Sequence, residues 1–326
     1  MIKIGNTELH HALMLGPMAG YSDRAMRVIC HEWGAEYAVS EMVSAKALVY
    51  GDKKTYALAN IMDDEGPVAV QIFGSEPSIM AFAAERLSAA REGSVPPAAI
   101  DINMGCPVNK IFSNGEGSAL MKSPELIEKI VRAVSDNIDI PCTVKLRAGV
   151  DRNSVNAVEC ALAAEAGGAA LVTVHGRTRS EMYSGEVDRE IIKNVKKHLQ
   201  IPVIANGDIL TADDAVSMLS ETGADGIMVA RGAVGNPFIF SEITARLEGK
   251  EAPEVSLSCR AEVALRQLSL AIEEKGEERA VSEARKQIAL YMRLFRGSAA
   301  LRATVNRATT FSEVREAIMS VTEQNQ

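Results

Sequence analysis

No stretch of this 326-residue chain approaches the roughly 18 consecutive apolar residues that a bilayer-spanning helix needs, which speaks against an integral membrane protein. The first twenty residues, Met1 to Gly20, hold a single lysine and no cleavable pattern, so no secretory leader is expected. The five cysteines (Cys30, Cys106, Cys142, Cys160 and Cys259) are scattered, odd in number and absent from any C-x-x-C. A disulfide framework and a zinc site are therefore disfavoured, and a reducing cytoplasm is the expected compartment. The histidines form no H-E-x-x-H and no triad, so no metal is expected. No carboxylate pair has a spacing that suits glycoside hydrolysis. No G-x-G-x-x-G follows the first apolar run, so the usual dinucleotide fingerprint is missing. What remains is ordinary globular material: 47% hydrophobic and 24% charged residues argue against disorder. The length suits one large domain, or one large and one small. A net charge of −8 argues against a broad, nonspecific nucleic-acid coat but leaves room for a local basic face.

The first two thirds of the chain alternate short apolar runs with longer amphipathic ones. Ala12–Met18, Tyr37–Glu41, Val68–Phe73, Ala99–Asn103, Cys142–Arg147, Ala170–His175, Pro202–Ala205 and Gly226–Ala230 read as strands. Asp23–Trp33, Pro77–Arg91, Pro124–Ser135, Ser154–Ala166, Glu190–His198 and Ala212–Glu221 read as helices between them. Near-continuous apolar strands imply parallel strands buried on both faces. Eight of them favour an α/β fold of the (β/α)8 TIM-barrel kind over an open doubly wound sheet. The character changes near Gly249–Ser256, where Gly249-Lys250-Glu251-Ala252-Pro253-Glu254 reads as a linker. Beyond it Ala261–Glu274, Ala280–Phe295 and Ser312–Val321 read as amphipathic helices. The expectation is a catalytic barrel over 1–248 followed by a small all-helical domain over 249–326.

Active sites of such barrels form where strands end. The residues leaving the strands are Gly16-Pro17-Met18-Ala19-Gly20, Gln71 with Gly74, Asn103-Met104-Gly105-Cys106-Pro107, Lys145 with Arg147, His175-Gly176-Arg177-Thr178-Arg179, Asn206-Gly207-Asp208 and Ala230-Arg231-Gly232. A single histidine or lysine at a strand end is more often a structural hydrogen-bonding group. Their joint occurrence is what points to a site. Gly207 and Gly232 permit close backbone approach after the last two strands, and Arg231 offers a bidentate phosphate partner. Together they suggest a phosphorylated cofactor or substrate, although the glycines could serve only tight turns. Cys106, between Gly105 and Pro107, lies in a constrained loop, whereas the other cysteines fall in apolar or helical runs. An ordinary thiol is protonated at neutral pH and can act as a general acid; with a lowered pKa it could instead be a nucleophile. Lys145 and His175 are its candidate neighbours, or cofactor contacts.

The helical tail adds a second observation. From Arg285 to Arg307 the basic residues are Arg285, Lys286, Arg293, Arg296, Arg302 and Arg307, with no Asp or Glu among them. Such a run is often a solvated helix face. Interleaved with Tyr291 and Phe295, and appended to an enzyme-like barrel, it also suits a polyanion such as RNA. This basic segment is expected to lie away from the barrel rim.

These residues resemble the tRNA-dihydrouridine synthases, and most closely their bacterial B-type branch. The resemblance runs through Pro17-Met18-Ala19-Gly20 with Asp23 and Arg27, Ser40-Glu41-Met42, Gln71-Ile72-Phe73-Gly74, Asp101-Ile102-Asn103-Met104-Gly105-Cys106-Pro107 with Lys110, and Gly117-Ser118-Ala119-Leu120. It continues through Val144-Lys145-Leu146-Arg147, His175-Gly176-Arg177-Thr178-Arg179, Ile204-Ala205-Asn206-Gly207-Asp208 and Gly223-Ala224-Asp225 to Arg231, and more loosely through Ala284-Arg285-Lys286 and Tyr291. It implies an FMN-bearing barrel that reduces the uridine C5=C6 bond in tRNA, with NADPH (or NADH) refilling the flavin. By the same resemblance Pro17, Met18, Ala19, Gln71, Lys145, His175, Asn206, Gly207, Asp208, Ala230 and Arg231 would hold FMN, and Cys106 would give the proton to C5. Asn103, Lys110, Arg177 and Arg179 would approach the extruded base or its backbone, with Arg285, Lys286 and Arg293 docking the tRNA. A cytoplasmic monomer is expected.

The chain departs from the family at a few positions: Gly16 stands where Ala is common, Ser22 for Thr, Ala25-Met26 for Pro-Phe, and Ala230 where Gly is common before Arg231. None removes a catalytic group. Two other readings compete. One is an FMN barrel acting on a free pyrimidine, such as a dihydroorotate dehydrogenase, which would need neither the basic tail nor the H-G-R-T-R stretch. The other is a non-catalytic RNA-binding barrel, which would need none of Cys106, Lys145 and His175.

Overall fold

Alternation along the strands decides what faces where, because successive side chains of a strand point to opposite sides. The computed structural model describes residues 1–91, 93–293 and 295–325. It begins with an antiparallel hairpin, β1 (Ile2–Ile4) and β2 (Thr7–Leu9). The following strands are β3 (Leu13–Leu15), β4 (Tyr37–Val39), β5 (Val43–Ser44), β6 (Val68–Phe73), β7 (Ala99–Met104), β8 (Cys142–Arg147), β9 (Leu171–His175), β10 (Val203–Asn206) and β11 (Gly226–Val229). β3 pairs with both β4 and β11, and β4 pairs with β6, so eight parallel strands close into a barrel, with the short β5 flanking β6. This is the (β/α)8 barrel that the apolar runs imply.

The helices of the barrel are α1 (Arg24–Glu32), α2 (Ala45–Val49), α3 (Lys53–Leu58), α4 (Pro77–Ser88), α5 (Asn109–Ser113), α6 (Pro124–Ser135), α7 (Ala157–Ala166), α8 (Arg189–His198), α9 (Ala212–Thr222) and α10 (Ile239–Leu247). Side chains cap several of their starts: Asp23 accepts from the Met26 N–H, Ser123 from Leu126, and Thr211 and Asp214 form a capping box. Outward-facing Val144, Leu146, Val172 and Val174 pack under these helices. The inward-facing set is different. Near the start of the strands Met14, Tyr37, Ala69, Leu171, Ile204 and Met228 form an apolar plug with Ile4 and Leu9 of the hairpin. The hairpin therefore seals the N-terminal end of the barrel. Near the strand ends the inward residues turn polar: Gln71 on β6, Asp101 and Asn103 on β7, Lys145 and Arg147 on β8, His175 on β9 and Asn206 on β10.

After α10 the chain runs without regular structure over 250–256 and enters α11 (Leu257–Lys275), α12 (Glu277–Ala284), α13 (Ser298–Val305) and α14 (Phe311–Gln324), with a 3-10 turn at Ile288–Met292. These helices share an apolar cluster with Ala25, Val28 and Ile29 of α1 and with Phe238. The Phe238 ring meets Trp33 and Tyr291 edge-on at 4.5 and 6.3 Å. Ion pairs from Lys275 to Asp23 and from Arg266 to Glu32 flank the same contact.

The structure differs from the sequence reading at four places. β3 stops at Leu15 rather than running to Met18, and Pro17, just beyond it, has no N–H to pair. The hairpin has no counterpart in the sequence reading, and neither has α13. The expected helix Ala280–Phe295 is broken after Ala284, because Gln287 turns inward and accepts from Gln267 Nε2 at 3.0 Å. Tyr291 Oη donates to Gln267 Oε1 at 2.6 Å from the following turn. Among the described residues no helix is long and apolar enough to cross a membrane.

Candidate active site

A cavity of about 600 Å³ opens at the C-terminal mouth of the barrel. Its size lies in the range of sites for cofactors and small ligands. All eleven residues expected to hold a cofactor line it: Pro17, Met18 and Ala19 after β3, Gln71 on β6, Lys145 on β8, His175 on β9, Asn206, Gly207 and Asp208 at the end of β10, and Ala230 and Arg231 after β11. Cys106 and Asn103 also line it. Strand register explains the grouping. Asn103 lies beside Lys145, Arg147 beside His175, and His175 beside Asn206.

Burial sets the chemistry of each group. Lys145 is enclosed, and its Nζ donates to Asn206 Oδ1 at 2.9 Å. Burial, together with the Arg147 charge, lowers its pKa to about 7, while Asp101 pulls the other way. Burial also depresses His175 well below the ordinary imidazole value, helped by the charges of Lys145, Arg147, Arg177 and Arg231, so the ring is neutral. Cys106 is 8% exposed. Burial raises its thiol pKa against the opposing pull of the Val108 N–H and Arg147, so it stays protonated at neutral pH. Its loop is held on both sides: its N–H donates to Asn103 Oδ1 at 2.9 Å, and Ser118 Oγ donates to its carbonyl at 2.7 Å. Arg147, which the sequence placed on β8 without a role, donates to the Gly105 carbonyl at 2.8 Å. Its signal was its position two residues after Lys145, on the same inward face.

The wall opposite Cys106 is built of backbone. Gly207 has φ of 121°, and a methyl there would overlap Val187 and come within 2.7 Å of the His175 ring. A methyl on Gly232 would overlap the Ile209 carbonyl oxygen. Arg231 stands between these glycines, half exposed, donating to Asp208 Oδ1 at 3.3 Å with its guanidinium 4.7 Å from the Tyr183 ring centre. Among the described residues lining the cavity Asp208 is the one carboxylate, against Lys145, Arg147, Arg231 and Arg293. A cradle too tight for side chains beside a surplus of cations fits a phosphorylated, anionic group such as a flavin mononucleotide. No group of three or more His, Cys, Asp or Glu among the described residues is placed to hold a metal.

Five expected contacts lie off this wall. Lys110 sits exposed on α5. Arg179 donates to Asn109 and lies 4.1 Å from the Phe112 ring centre. Arg177 departs from the expectation that it approaches the base: it is 2% exposed, and its guanidinium donates to both Asp208 oxygens at 2.8 and 2.6 Å and to the carbonyls of Ser184 and Gly185. Those bonds make it the support of Asp208 rather than a rim group. Arg285 likewise donates inward, to the Ala308 carbonyl at 2.7 Å. Lys286 lies 4.5 Å from the Tyr21 ring centre, on the loop after β3.

The tail is therefore not remote from the rim. Leu290 and Arg293 line the cavity itself. The 3-10 turn brings them there, packing against Gly235, whose φ of +67° and lack of a side chain admit Leu290 and the Tyr291 backbone. Met182 and Tyr183 of the β9–α8 loop complete the mouth and had no signal in the sequence.

The sequence profile of the dihydrouridine synthase (Dus) family matches residues 14–325. A probable tRNA-dihydrouridine synthase of Rickettsia bellii is 40% identical over 94% of this chain and 93% of its own. A tRNA-dihydrouridine synthase B of Vibrio vulnificus is 39% identical over 94% of each chain. Among solved structures, a FabK point mutant from Thermotoga maritima aligns over 70% of this chain and 63% of its own, at a TM-score of 0.42 and 15% identity.

Proposed function

The chain belongs to the dihydrouridine synthase family, and from that premise we propose that it reduces the C5=C6 bond of uridines in tRNA, using FMN in the barrel mouth and NADPH as reductant. The observation that carries this reading is the convergence of eleven cofactor candidates and Cys106 on one cavity. When bound, FMN supplies the hydride that reaches C6 and is itself recharged by the nicotinamide. This chain's residues supply the rest. Gly207, Gly232 and Arg231 would hold the phosphate, and Lys145, Asn206 and Gln71 would contact the ring system. The buried thiol of Cys106 gives its proton to C5 as a general acid. The thiolate left behind sits beside Arg147, which lowers its cost until a proton returns from solvent. A neutral His175 adds a hydrogen-bonding group without adding a charge.

Residues 1–248 act as the catalytic barrel and residues 249–326 as the RNA-binding part. The target uridine leaves its stack, because C5 and C6 must reach a cavity inside the barrel mouth. Arg293 in the cavity lining and Lys286 against the lining Tyr21 would be partners for the backbone of the nucleotide, with exposed Lys110 on α5 a further candidate.

Two measurements test the proposal. Purified protein should be yellow, or become so on reconstitution with FMN, and release FMN on denaturation. Transfer RNA from cells lacking the gene should lose dihydrouridine at one or more positions. A protein that binds no flavin under any reconstitution overturns the cofactor, and unchanged tRNA dihydrouridine overturns the substrate. Turnover of a free pyrimidine, without turnover of tRNA, would favour the free-base reading instead.

A further inference from the structure

Beneath the cavity floor lies a buried carboxylate that the reaction above does not use. Asp101 points inward from β7 and is 2% exposed. Its Oδ1 accepts from Thr143 Oγ1 at 2.6 Å and its Oδ2 from Gln71 Nε2 at 2.7 Å. The other end of the Gln71 amide, Oε1, accepts from Asn103 Nδ2 at 2.8 Å. Asn103 Oδ1 then accepts from the backbone N–H of Gly105 at 3.2 Å and of Cys106 at 2.9 Å. An unbroken chain of hydrogen bonds thus runs from Asp101 to the loop of the proposed proton donor.

We infer that Asp101 is a positioning residue, whose acceptor-only carboxylate sets the orientation of the Gln71 and Asn103 amides and, through them, the Cys106 loop. A carboxylate oxygen can only accept, so the Gln71 NH2 must face it. That turns Oε1 toward Asn103, whose NH2 must face Oε1 in turn. Only then is Asn103 Oδ1 free for the two loop amides. Reversing Gln71 would set two NH2 groups against each other, and reversing Asn103 would set an NH2 against two N–H donors. Buried donors without acceptors are costly, so one fixed end suffices to fix the series. The same ordering decides what the cavity offers a ring edge: an acceptor at Gln71 and a donor at Asn103. Burial raises the Asp101 pKa, while Thr143, Gln71 and Lys145 oppose that rise and favour the carboxylate.

The inference rests on the reading of the mouth as a flavin and uridine site, and its test keeps the two apart. In Asp101→Asn the residue keeps its shape, but either end of the new amide can face Gln71, so the order is no longer imposed. Cys106 is followed in apoprotein by its rate of alkylation with iodoacetamide at fixed pH, with the modified peptide quantified by mass. FMN affinity is followed by flavin fluorescence, and folding by thermal melting. D101N is expected to change the Cys106 rate severalfold and to weaken FMN binding roughly tenfold, as loss of a hydrogen bond to a charged group does. Adding Gln71→Glu restores an acceptor-only group, which faces both the new amide at position 101 and Asn103, and should return the Cys106 rate to within about twofold of wild type. Folded D101N with wild-type alkylation and wild-type FMN affinity overturns the inference, as does a double variant that fails to recover the rate. Should the Asp101 variants not fold, Gln71→Leu cuts the same chain at its middle, and an unchanged Cys106 rate there is equally fatal. Wild-type protein that takes up no FMN overturns the cofactor reading but leaves the alkylation test intact.

Discussion

At the scale of the residue, a thiol, a glycine and an arginine make the sharpest predictions. Cys106→Ala removes a general acid without touching the glycine cradle. It should bind FMN and accept electrons from NADPH normally, yet reduce tRNA about 10²–10⁴-fold more slowly in single-turnover assays. Gly232→Ala puts a methyl onto the Ile209 carbonyl oxygen, and neither partner is a flexible side-chain end. The loop must move, so the variant should lose FMN affinity while keeping a protonated, alkylatable Cys106; flavin titration of the apoprotein checks it. Arg177→Ala leaves Asp208 without its bidentate partner in a largely enclosed site. Asp208 is 33% exposed and keeps Arg231 and the Val187 N–H, so the loss should cost about 1–2 kcal/mol, which urea unfolding would register as a lowered midpoint. Had Arg177 been a base contact, the variant would instead keep its stability and lose only tRNA turnover.

At the scale of the element, the basic tail divides into two kinds of residue. Arg285 belongs to the packing of the helices, through the Ala308 carbonyl. Lys286 and Arg293 face the mouth, one against Tyr21 and one in the cavity wall. Lys286→Ala with Arg293→Ala should weaken tRNA binding and flatten the slope of log affinity against log salt by up to about two units, one per lost phosphate contact. Arg285→Ala should lower the melting temperature and leave that slope alone. Equal slopes for wild type and the double variant would assign RNA docking elsewhere. The elements themselves were readable to different degrees. The eight barrel strands showed in the sequence because both their faces are apolar, and the polar residues at their ends showed as Gln71, Asn103, Lys145, His175 and Asn206. The break after Ala284 did not show, because it depends on Gln287 and Tyr291 meeting Gln267 inside the fold, twenty and twenty-four residues away. The hairpin of β1 and β2, with three residues per strand, is too short for periodicity to register. Arg177 shows the opposite failure: its motif was visible, but burial and the pairing to Asp208 reassign its work from substrate to scaffold.

At the scale of the whole molecule, buried titrating groups bound the pH range of the apoprotein. His175 has a folded pKa far below the unfolded value of about 6.5, so below that pH the unfolded chain binds more protons and stability falls. Burial raises the pKa of Cys30, Cys142 and Cys160, so above their unfolded values of about 8.5 the unfolded chain releases protons first and stability falls again. Lys145 acts in the opposite sense. Its folded pKa of about 7 lies below its unfolded value, so the cost of its buried charge is complete below pH 7 and lifts as pH rises toward the unfolded pKa. Melting temperature should therefore pass through a broad maximum between about pH 7 and 9. Lys145→Met should stabilise the apoprotein more at pH 6 than at pH 10. A gain independent of pH would mean that the lysine is not charged at the barrel mouth under acid conditions.

The sealed end of the barrel has a consequence for traffic. With Ile4 and Leu9 packed into the apolar plug at the far end, the cavity opens at the C-terminal mouth, where Leu290, Arg293, Met182 and Tyr183 are among its lining residues. On the proposed function a nicotinamide and an extruded uridine share that mouth and take turns in it, the departure of one admitting the other. The cycle should then be ping-pong: initial rates measured against NADPH at several tRNA concentrations should give parallel double-reciprocal lines, with excess NADPH competing against tRNA. Intersecting lines would mean that both are bound at once and would overturn the shared-mouth reading.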